Sequence, residues 1–114
     1  MEEINKTIEG FENYEVSNFG HIKNKKTVKI LKGCPDKDGY FRVHLCKTKT
    51  DKSYVYVHRI VGLAFIDNPE NKSQIDHIDN NEINNNITNL RWASHSENNR
   101  NKKLQKNYKL LQYI

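Results

Sequence analysis

The chain has 114 residues, the length of one small domain or of two very small modules, and a net charge of +5. Hydrophobic residues make up 35% of it, and no apolar run approaches the roughly 18 residues that a membrane span needs, which excludes a membrane-spanning protein. The first residues lack the basic and apolar segments of a secretory signal, and two cysteines are too few for a disulfide scaffold. We therefore expect a folded, cytoplasmic protein.

The first half of the chain predicts short antiparallel strands separated by turns. Short strands are expected within residues 8–22, and a third strand candidate covers 28–31. Residues 40–45 and 54–57 predict two further strands that pair as a hairpin across a polar turn.

The second half predicts both helix and strand, so the fold class expected is α+β. Apolar residues take helical spacing from His58 until Asn68-Pro69. Residues 74–78 and 89–92 predict a pair of short strands around a turn-rich loop. A Ser at 94 with a Glu at 97 has the form of a capping box, so a helix should begin there. Its apolar stripe would consist of Leu104, Tyr108 and Leu111.

Charge is unevenly distributed along the chain. Residues 21–32 contain five lysines and no acid, and no acid follows Glu97, where the chain is again rich in lysine. Residues 67–82 contain five acids and one lysine. An anionic centre between cationic flanks suits a protein that grips a polyanion and holds a divalent cation beside it. A solvated surface explains either lysine run equally well.

Asp76 and His77 form the pair with the clearest chemistry. Adjacent strand residues point to opposite faces, but at a strand end beside a loop both can approach one site. An aspartate is a hard oxygen ligand for Mg²⁺, and a neutral imidazole can take a proton from water. Such a pair is common by chance, but the predicted strand–strand–helix arrangement can bring Asp76 and the amide oxygen of Asn98 onto one cation.

The residues around this pair resemble the HNH nuclease motif of phage and intron homing endonucleases. The resemblance lies in residues 74–81, 84–85, 89–92 and 97–101, in the expected order, preceded by the helix and turn that these enzymes carry. Near the N-terminus, residues 8–20 resemble the NUMOD-type module of the same enzymes. The resemblance implies a ββα-metal nuclease fold near the C-terminal end of the chain.

The resemblance implies functional roles for four residues of this sequence. His77 would be the general base that activates water, and Asp76 and Asn98 would be the metal ligands. Asn89 would hold the loop of the hairpin and so orient His77. Many relatives have histidine where this chain has Asn98, and an oxygen ligand there suits Mg²⁺ or Mn²⁺ better than Zn²⁺.

The resemblance implies hydrolysis of phosphodiester bonds in double-stranded DNA. One base and one metal serve one strand, so a monomer should nick, whereas a dimer would be able to cut both strands. Two alternatives stay open: a catalytically weak or inactive DNA-binding module of the same fold, and an RNA-directed nuclease.

Basic residues in and beside the motif are candidate contacts to DNA phosphates. Arg59 and Arg91 can each pair with an acid or contact phosphate, and the lysines after Glu97 can line one helix face or simply be solvated. The predicted DNA-binding residues are Arg59, Arg91, Arg100, Lys102, Lys103 and Lys106.

Other histidines and both cysteines have simpler explanations. Cys34 and Cys46 could join His44 and His58 in a zinc site, but no Cys-x-x-Cys spacing supports one. We expect His44 and His58 to be structural and His95 to face solvent.

Three units are expected along the chain. Residues 1–33 would form the NUMOD-type β module, 34–104 the HNH nuclease domain and 105–114 the end of a basic helix. An intracellular location is expected, with the protein encoded by a phage in a bacterial host, and the oligomeric state is open between monomer and dimer.

Overall fold

The computed structural model describes residues 1–102, which form three small antiparallel sheets and two helices. The first sheet has four strands in chain order, and each strand pairs with the next across a turn. Its strands are β1 (Asn5–Ile8), β2 (Phe11–Ser17), β3 (Ile22–Asn24) and β4 (Ile30–Leu31).

The second sheet leads directly into the first helix. It has three strands, β5 (Cys34–Pro35), β6 (Phe41–Cys46) and β7 (Lys52–Tyr56), of which β6 and β7 are the predicted hairpin. Helix α1 (Val57–Phe65) begins at the residue after β7 and buries the face that carries Ile60 and Val61. Within residues 1–102, no helix has the length and hydropathy needed to cross a bilayer.

The last part of the described chain is a hairpin followed by a helix. Strands β8 (Gln74–His77) and β9 (Leu90–Ala93) pair antiparallel, and a short 3₁₀ turn (Ile87–Asn89) precedes β9. Residues 95–102 are helical and form the described part of helix α2. The α+β class is therefore confirmed, with a strand–strand–helix unit at the C-terminal end of the described chain.

A capping box begins helix α2, as the sequence predicts. The Glu97 N–H donates to Ser94 Oγ at 3.2 Å, and the Ser94 N–H donates to Glu97 Oε1 at 3.1 Å. Lys72 also contacts Glu97, at 2.9 Å, and this ammonium together with the Ser94 N–H lowers the pKa of Glu97 to about 2. The predicted stripe of Leu104, Tyr108 and Leu111 lies outside the described residues.

One hydrophobic core joins all three sheets to helix α1. Val16 and Ile22 of the first sheet, Leu45 of the second and Ile75 of the hairpin belong to one buried cluster. Gly62 lets α1 approach the hairpin closely, because a Cβ there would lie 2.4 Å from Ile75 Cδ1 and 3.3 Å from the Trp92 ring. The Trp92 indole N–H donates to the Ile66 carbonyl at the end of α1, at 2.9 Å.

Two predicted strands are shorter than expected because asparagine side chains form turns. The 28–31 strand reduces to Ile30–Leu31, since Asn24 Oδ1 accepts from Lys26 and Thr27 and Val28 has a φ of 59°. Asn89 lies in the 3₁₀ turn and not in β9, because Asn86 Oδ1 caps that turn at the Thr88 N–H.

Candidate active site

Strand β8 presents two different faces to its surroundings. Successive residues of a strand point to opposite sides, so Gln74 and Asp76 share one face and Ile75 and His77 share the other. Asp76 and His77 are both buried, at 1% and 4% exposure, although both are polar. Buried polar groups need partners, and each face supplies different ones.

On the first face, Asp76 is bound by two other elements. Arg91 lies directly opposite it on β9 and places Nε and Nη2 each 2.9 Å from Asp76 Oδ2. From helix α2, Asn101 Nδ2 donates to both carboxylate oxygens, at 3.1 and 3.0 Å. Of the two ambiguous arginines, Arg91 is thus the one that pairs with an acid, and its guanidinium stays half exposed.

Asn98 carries a buried oxygen without a partner. Its Nδ2 donates to Gln74 Oε1 at 2.9 Å, which places this side chain against the strand face that carries Asp76. Its Oδ1 is buried, and no residue among 1–102 donates to it. An orphaned amide oxygen of this kind is an acceptor suited to a cation or to a donor from a ligand.

The oxygen donors of Asp76 and Asn98 are of the chemical kind that suits a small, hard divalent cation. One carboxylate and one amide oxygen make only two protein ligands. Mg²⁺ is usually bound by few protein ligands, and water and substrate oxygens complete its coordination. Residues 1–102 contain no group of three or more His, Cys, Asp or Glu side chains that could hold a metal ion, so the alternative zinc site of Cys34, Cys46, His44 and His58 is not assembled.

On the second face, the His77 ring is fixed by Asn85. The distance from His77 Nε2 to Asn85 Oδ1 is 2.8 Å, and Asn85 is 6% exposed. A carbonyl oxygen only accepts, so Nε2 carries the hydrogen and Nδ1 keeps its lone pair. Sequence reasoning placed Asn85 in the family motif but gave it no role, because turn chemistry explains a run of three asparagines in a loop.

Asn89 holds the loop that connects the two strands. Its Oδ1 accepts from the Asp79 N–H at 3.1 Å, while its Nδ2 donates to Asp79 Oδ1 and to the Asn84 carbonyl. All of its hydrogen-bonding groups thus bind the loop that follows His77. The Ile78 N–H also donates to the Asn89 carbonyl, at 2.8 Å. This geometry is that of a residue which orients the end of β8.

A cluster of aromatic and histidine rings covers His77. The His58 ring centroid lies 5.2 Å from that of His77, and Tyr40 lies 5.8 Å from His77 and 5.4 Å from His58. Burial, with a smaller contribution from His77 and Arg59, lowers the pKa of His58 to about 4. His58 is therefore neutral at physiological pH, and its Nδ1 is buried with no partner among residues 1–102.

A cavity of about 280 Å³ opens beside this cluster. It brings together Asn98, His58 and the two predicted DNA contacts Arg59 and Lys102. Lys102 Nζ lies 5.5 Å from the centre of the Tyr40 ring, and Arg59 donates to the Ser73 carbonyl at 2.8 Å. A cationic wall of this kind complements an anionic group in the cavity.

Arg100, His95 and His44 do not line this cavity. Arg100 is exposed on helix α2, and His95 is exposed as expected, with its Nδ1 3.0 Å from Gln74 Nε2. Exposed His44 stacks on Tyr54, with ring centroids 4.6 Å apart. Lys103 and Lys106 lie outside the described residues.

Comparison with known families identifies both halves of the chain. Residues 55–100 match the HNH endonuclease family model, and residues 3–46 match the NUMOD4 motif. Residues 55–100 of the chain thus belong to the HNH endonuclease family. The family predicted from the residues around Asp76 and His77 is thereby confirmed.

Similar proteins come from a mimivirus and from a phage. An HNH endonuclease of Acanthamoeba polyphaga mimivirus is 45% identical over 93 residues, which is 80% of this chain and 23% of the relative. The DNA endonuclease I-HmuI of Bacillus phage SP01 is 42% identical over 90 residues, which is 78% of this chain and 51% of the relative. The chain therefore spans about half the length of I-HmuI and 23% of the length of the mimivirus relative.

A solved structure has the same fold. It is described as DNA binding and cleavage by the HNH homing endonuclease I-HmuI, and it superposes with a TM-score of 0.80 at 37% identity. The match covers 93% of this chain and 60% of that chain. The ββα unit and the sheets that precede it are thus arranged as in that structure.

Proposed function

We propose that this HNH domain is a metal-dependent endonuclease that hydrolyses one phosphodiester bond in double-stranded DNA. The observation that carries the proposal is the His77 ring, which is buried and held by Asn85 so that the lone pair of Nδ1 stays available. Membership of the HNH endonuclease family and the DNA cleavage named for I-HmuI support the same reaction.

His77 is the general base in this proposal. Nδ1 takes a proton from the attacking water, and Nε2–H remains bound to Asn85 Oδ1, which steadies the ring as it becomes positively charged. The water oxygen then bonds to phosphorus, and the bond to the departing sugar oxygen breaks. Asn89 keeps the loop after His77 in place through three side-chain hydrogen bonds.

Asp76 and Asn98 are the residues that would hold a divalent ion. Bound there, Mg²⁺ or Mn²⁺ would supply Lewis-acid stabilisation of the negative charge that develops on the phosphate. The buried, unpartnered Asn98 Oδ1 is the support for this ligand. The single base and the single pair of oxygen ligands support the cleavage of one strand per protein molecule.

Plasmid cleavage tests the reaction directly. Supercoiled plasmid incubated with the protein and Mg²⁺ or Mn²⁺ should become nicked and not linear, and chelation should stop the reaction. Unchanged plasmid with intact binding would instead indicate a DNA-binding module. Cleavage of a matched RNA but not of DNA would indicate an RNA-directed nuclease.

The cationic wall and helix α2 provide the proposed phosphate contacts. Lys102 and Arg59 border the cavity, and Arg100 is exposed on the same helix as Lys102. Each phosphate contact contributes about 0.9 to the slope of log K against log salt. Glutamine at Arg100, Lys102, Lys103 and Lys106 should therefore flatten that slope by roughly 3–4.

A second variant tests which lysine run contacts DNA. Glutamine at Lys25, Lys26, Lys29 and Lys32 removes the same amount of charge from the first sheet and the segment after it. The two variants have equal net charge, so a difference between their slopes reports position and not total charge. A slope unchanged in the 100–106 variant would remove that segment from the DNA interface.

A further inference from the structure

A turn of the NUMOD4 segment packs against the loop that holds His77. This turn, residues 17–20, joins β2 to β3, and we name it the docking turn. The Asn18 carbonyl accepts from the Ile87 N–H at 3.0 Å, two residues along the chain from Asn85. The docking turn is far from His77 in sequence. In the fold, Asn85 links the two, because it contacts both the docking turn and the His77 ring.

Asn18 fixes the docking turn from the other side. Its Oδ1 accepts from the Ile4 N–H at 2.7 Å, its Nδ2 donates to the Glu2 carbonyl at 3.0 Å, and it is 2% exposed. The Asn18 N–H donates to the Ile4 carbonyl. Side chain and backbone of Asn18 thus tie the first residues of the chain, the docking turn and the loop of the nuclease hairpin into one hydrogen-bonded unit.

Gly20 brings the docking turn into direct contact with Asn85. It has a φ of +88°, and a Cβ built on it would lie 2.8 Å from the Asn85 carbonyl oxygen and 2.9 Å from Asn85 Cβ. Both atoms belong to or adjoin the Asn85 backbone, so they cannot rotate away as the tip of a flexible side chain would. Any side chain at position 20 must therefore change the contact between the docking turn and Asn85.

We propose that the docking turn is a positioning element for catalysis, with Gly20 and Asn18 acting through Asn85 on the orientation and tautomer of His77. The inference rests on the proposed function for its catalytic consequence, whereas the coupling itself is a property of the fold. It assigns the NUMOD4 segment a role inside the nuclease site. The contacts form a short path: Gly20 touches Asn85, and Asn85 Oδ1 binds His77 Nε2.

Two glycine substitutions give a matched test. Gly10 has almost the same φ as Gly20, at +84°, but a Cβ there meets nothing within 4 Å. Gly20→Ala and Gly10→Ala therefore introduce the same strain, and only Gly20→Ala also displaces Asn85. The ¹⁵N shifts of the His77 ring, measured in mildly alkaline buffer where imidazole is neutral, report which nitrogen carries the hydrogen.

The expected result is a difference between these two variants. Gly20→Ala should shift the His77 ring nitrogens away from the pure Nε2–H pattern and slow single-turnover cleavage about tenfold or more, with DNA affinity within about twofold. Gly10→Ala should leave the ring shifts and the cleavage rate as in the natural sequence. Equal His77 shifts and equal rates in the two variants would overturn the proposal.

A second pair of variants covers the case in which Gly20→Ala does not fold. Ile87 is the first residue of its 3₁₀ turn, where proline is tolerated, and Asn86 already has the extended backbone that precedes proline. Ile87→Pro removes the N–H that binds the Asn18 carbonyl, and Ile87→Ala keeps it. The proposal requires perturbed His77 shifts in Ile87→Pro relative to Ile87→Ala, and identical shifts contradict it.

A replacement at Asn85 separates positioning from general stability. Asn85→Asp keeps an oxygen acceptor for Nε2–H, whereas Asn85→Ala removes it, so the Nε2–H pattern should survive only in the former. If the natural sequence does not cleave DNA at all, the proposed function fails, but the ring shifts still decide whether the docking turn controls His77.

Discussion

The two faces of strand β8 solve the problem of a buried polar side chain in opposite ways. Asp76 is surrounded by charged and neutral donors, because Arg91 and Asn101 lie within 3.1 Å of its carboxylate oxygens. His77 has no ionic partner among residues 1–102 and lies among aromatic rings and a second histidine. One face therefore surrounds a carboxylate with hydrogen-bond donors, and the other encloses an imidazole among rings.

The difference explains how two neighbours in sequence can have separate tasks. A carboxylate beside an arginine is suited to electrostatic work, whereas a base must begin without a proton. His58 supports the second requirement, because a neutral His58 adds no positive charge 5.2 Å from the His77 ring. Each of the following predictions alters one face and leaves the other as it is.

The largest effect is expected from removing the base. His77→Ala should lower the single-turnover cleavage rate by about 10²–10⁴-fold, because general base catalysis contributes that much. DNA affinity should change little, since the ring acts in the chemical step. His44→Ala, on an exposed histidine that stacks on Tyr54, is the control and should cleave normally. Normal cleavage by His77→Ala would remove His77 from the mechanism.

The next largest effect is a loss of folding stability in acid that depends on His58. The unfolded chain binds a proton on this ring below its ordinary pKa of 6.5, whereas the folded protein keeps it neutral until about 4. The unfolded state therefore gains the proton first, and stability falls as pH drops between these values, by up to about 3 kcal/mol. Urea denaturation across this range should show the loss in the natural sequence and a weaker pH dependence in His58→Phe.

Exposed His95 provides the matched control for that titration. His95→Ala changes an exposed histidine and leaves His58 in place, so it should retain the pH dependence of the natural sequence. An equal loss of pH dependence in both variants would mean that His58 is not the group responsible.

A smaller effect is expected on the other face. Arg91→Met leaves the buried Asp76 carboxylate with Asn101 as its only side-chain partner among residues 1–102, and should cost about 2 kcal/mol of unfolding free energy. Half of the guanidinium is solvent-exposed, which keeps the cost below that of a fully buried pair. Adding Asp76→Asn should recover part of the loss in urea denaturation. A double variant less stable than Arg91→Met would argue against an uncompensated charge.

The smallest effect is expected from a substitution at the start of helix α2. This helix carries Asn98 and Asn101 to the Asp76 face. Ser94→Ala removes the acceptor of the Glu97 N–H and should lower stability by about 1 kcal/mol. Ser96→Ala, on an exposed residue one position inside the helix, should change it by less than about 0.5 kcal/mol. Thermal denaturation of the two variants gives the comparison, and equal midpoints would mean that the cap contributes nothing.

Local patterns made most of the fold predictable from the sequence. The Ser94–Glu97 capping box, the hairpin of β6 and β7 and the β8–β9 pair depend on residues that are close together in the chain. The strand at 28–31 was predicted too long because one asparagine side chain caps a turn that competes with the ladder. The division of the chain into units that end at residues 33 and 104 stays a prediction. The hydrophobic core contains residues from both sides of residue 33.

The candidate site was predictable only for the residues whose roles the family motif implies. Asp76, His77, Asn89 and Asn98 follow from the resemblance, and their catalytic and metal-binding roles stay predictions. The contacts of Asn85 with His77 and Gly20 could not be foreseen, because loop asparagines and turn glycines have ordinary local explanations. Their importance comes from tertiary packing between segments more than 60 residues apart.

The position of the single tryptophan provides an optical probe of cooperativity. Trp92 lies where helix α1 meets the nuclease hairpin, with its indole N–H on Ile66 and its ring against Gly62, and the first sheet contains no tryptophan. Its emission therefore reports the nuclease half, whereas far-UV circular dichroism averages over all secondary structure. Coincident denaturation curves from the two signals would show that the NUMOD4 and HNH segments unfold as one unit. Separate curves would give each segment its own free energy.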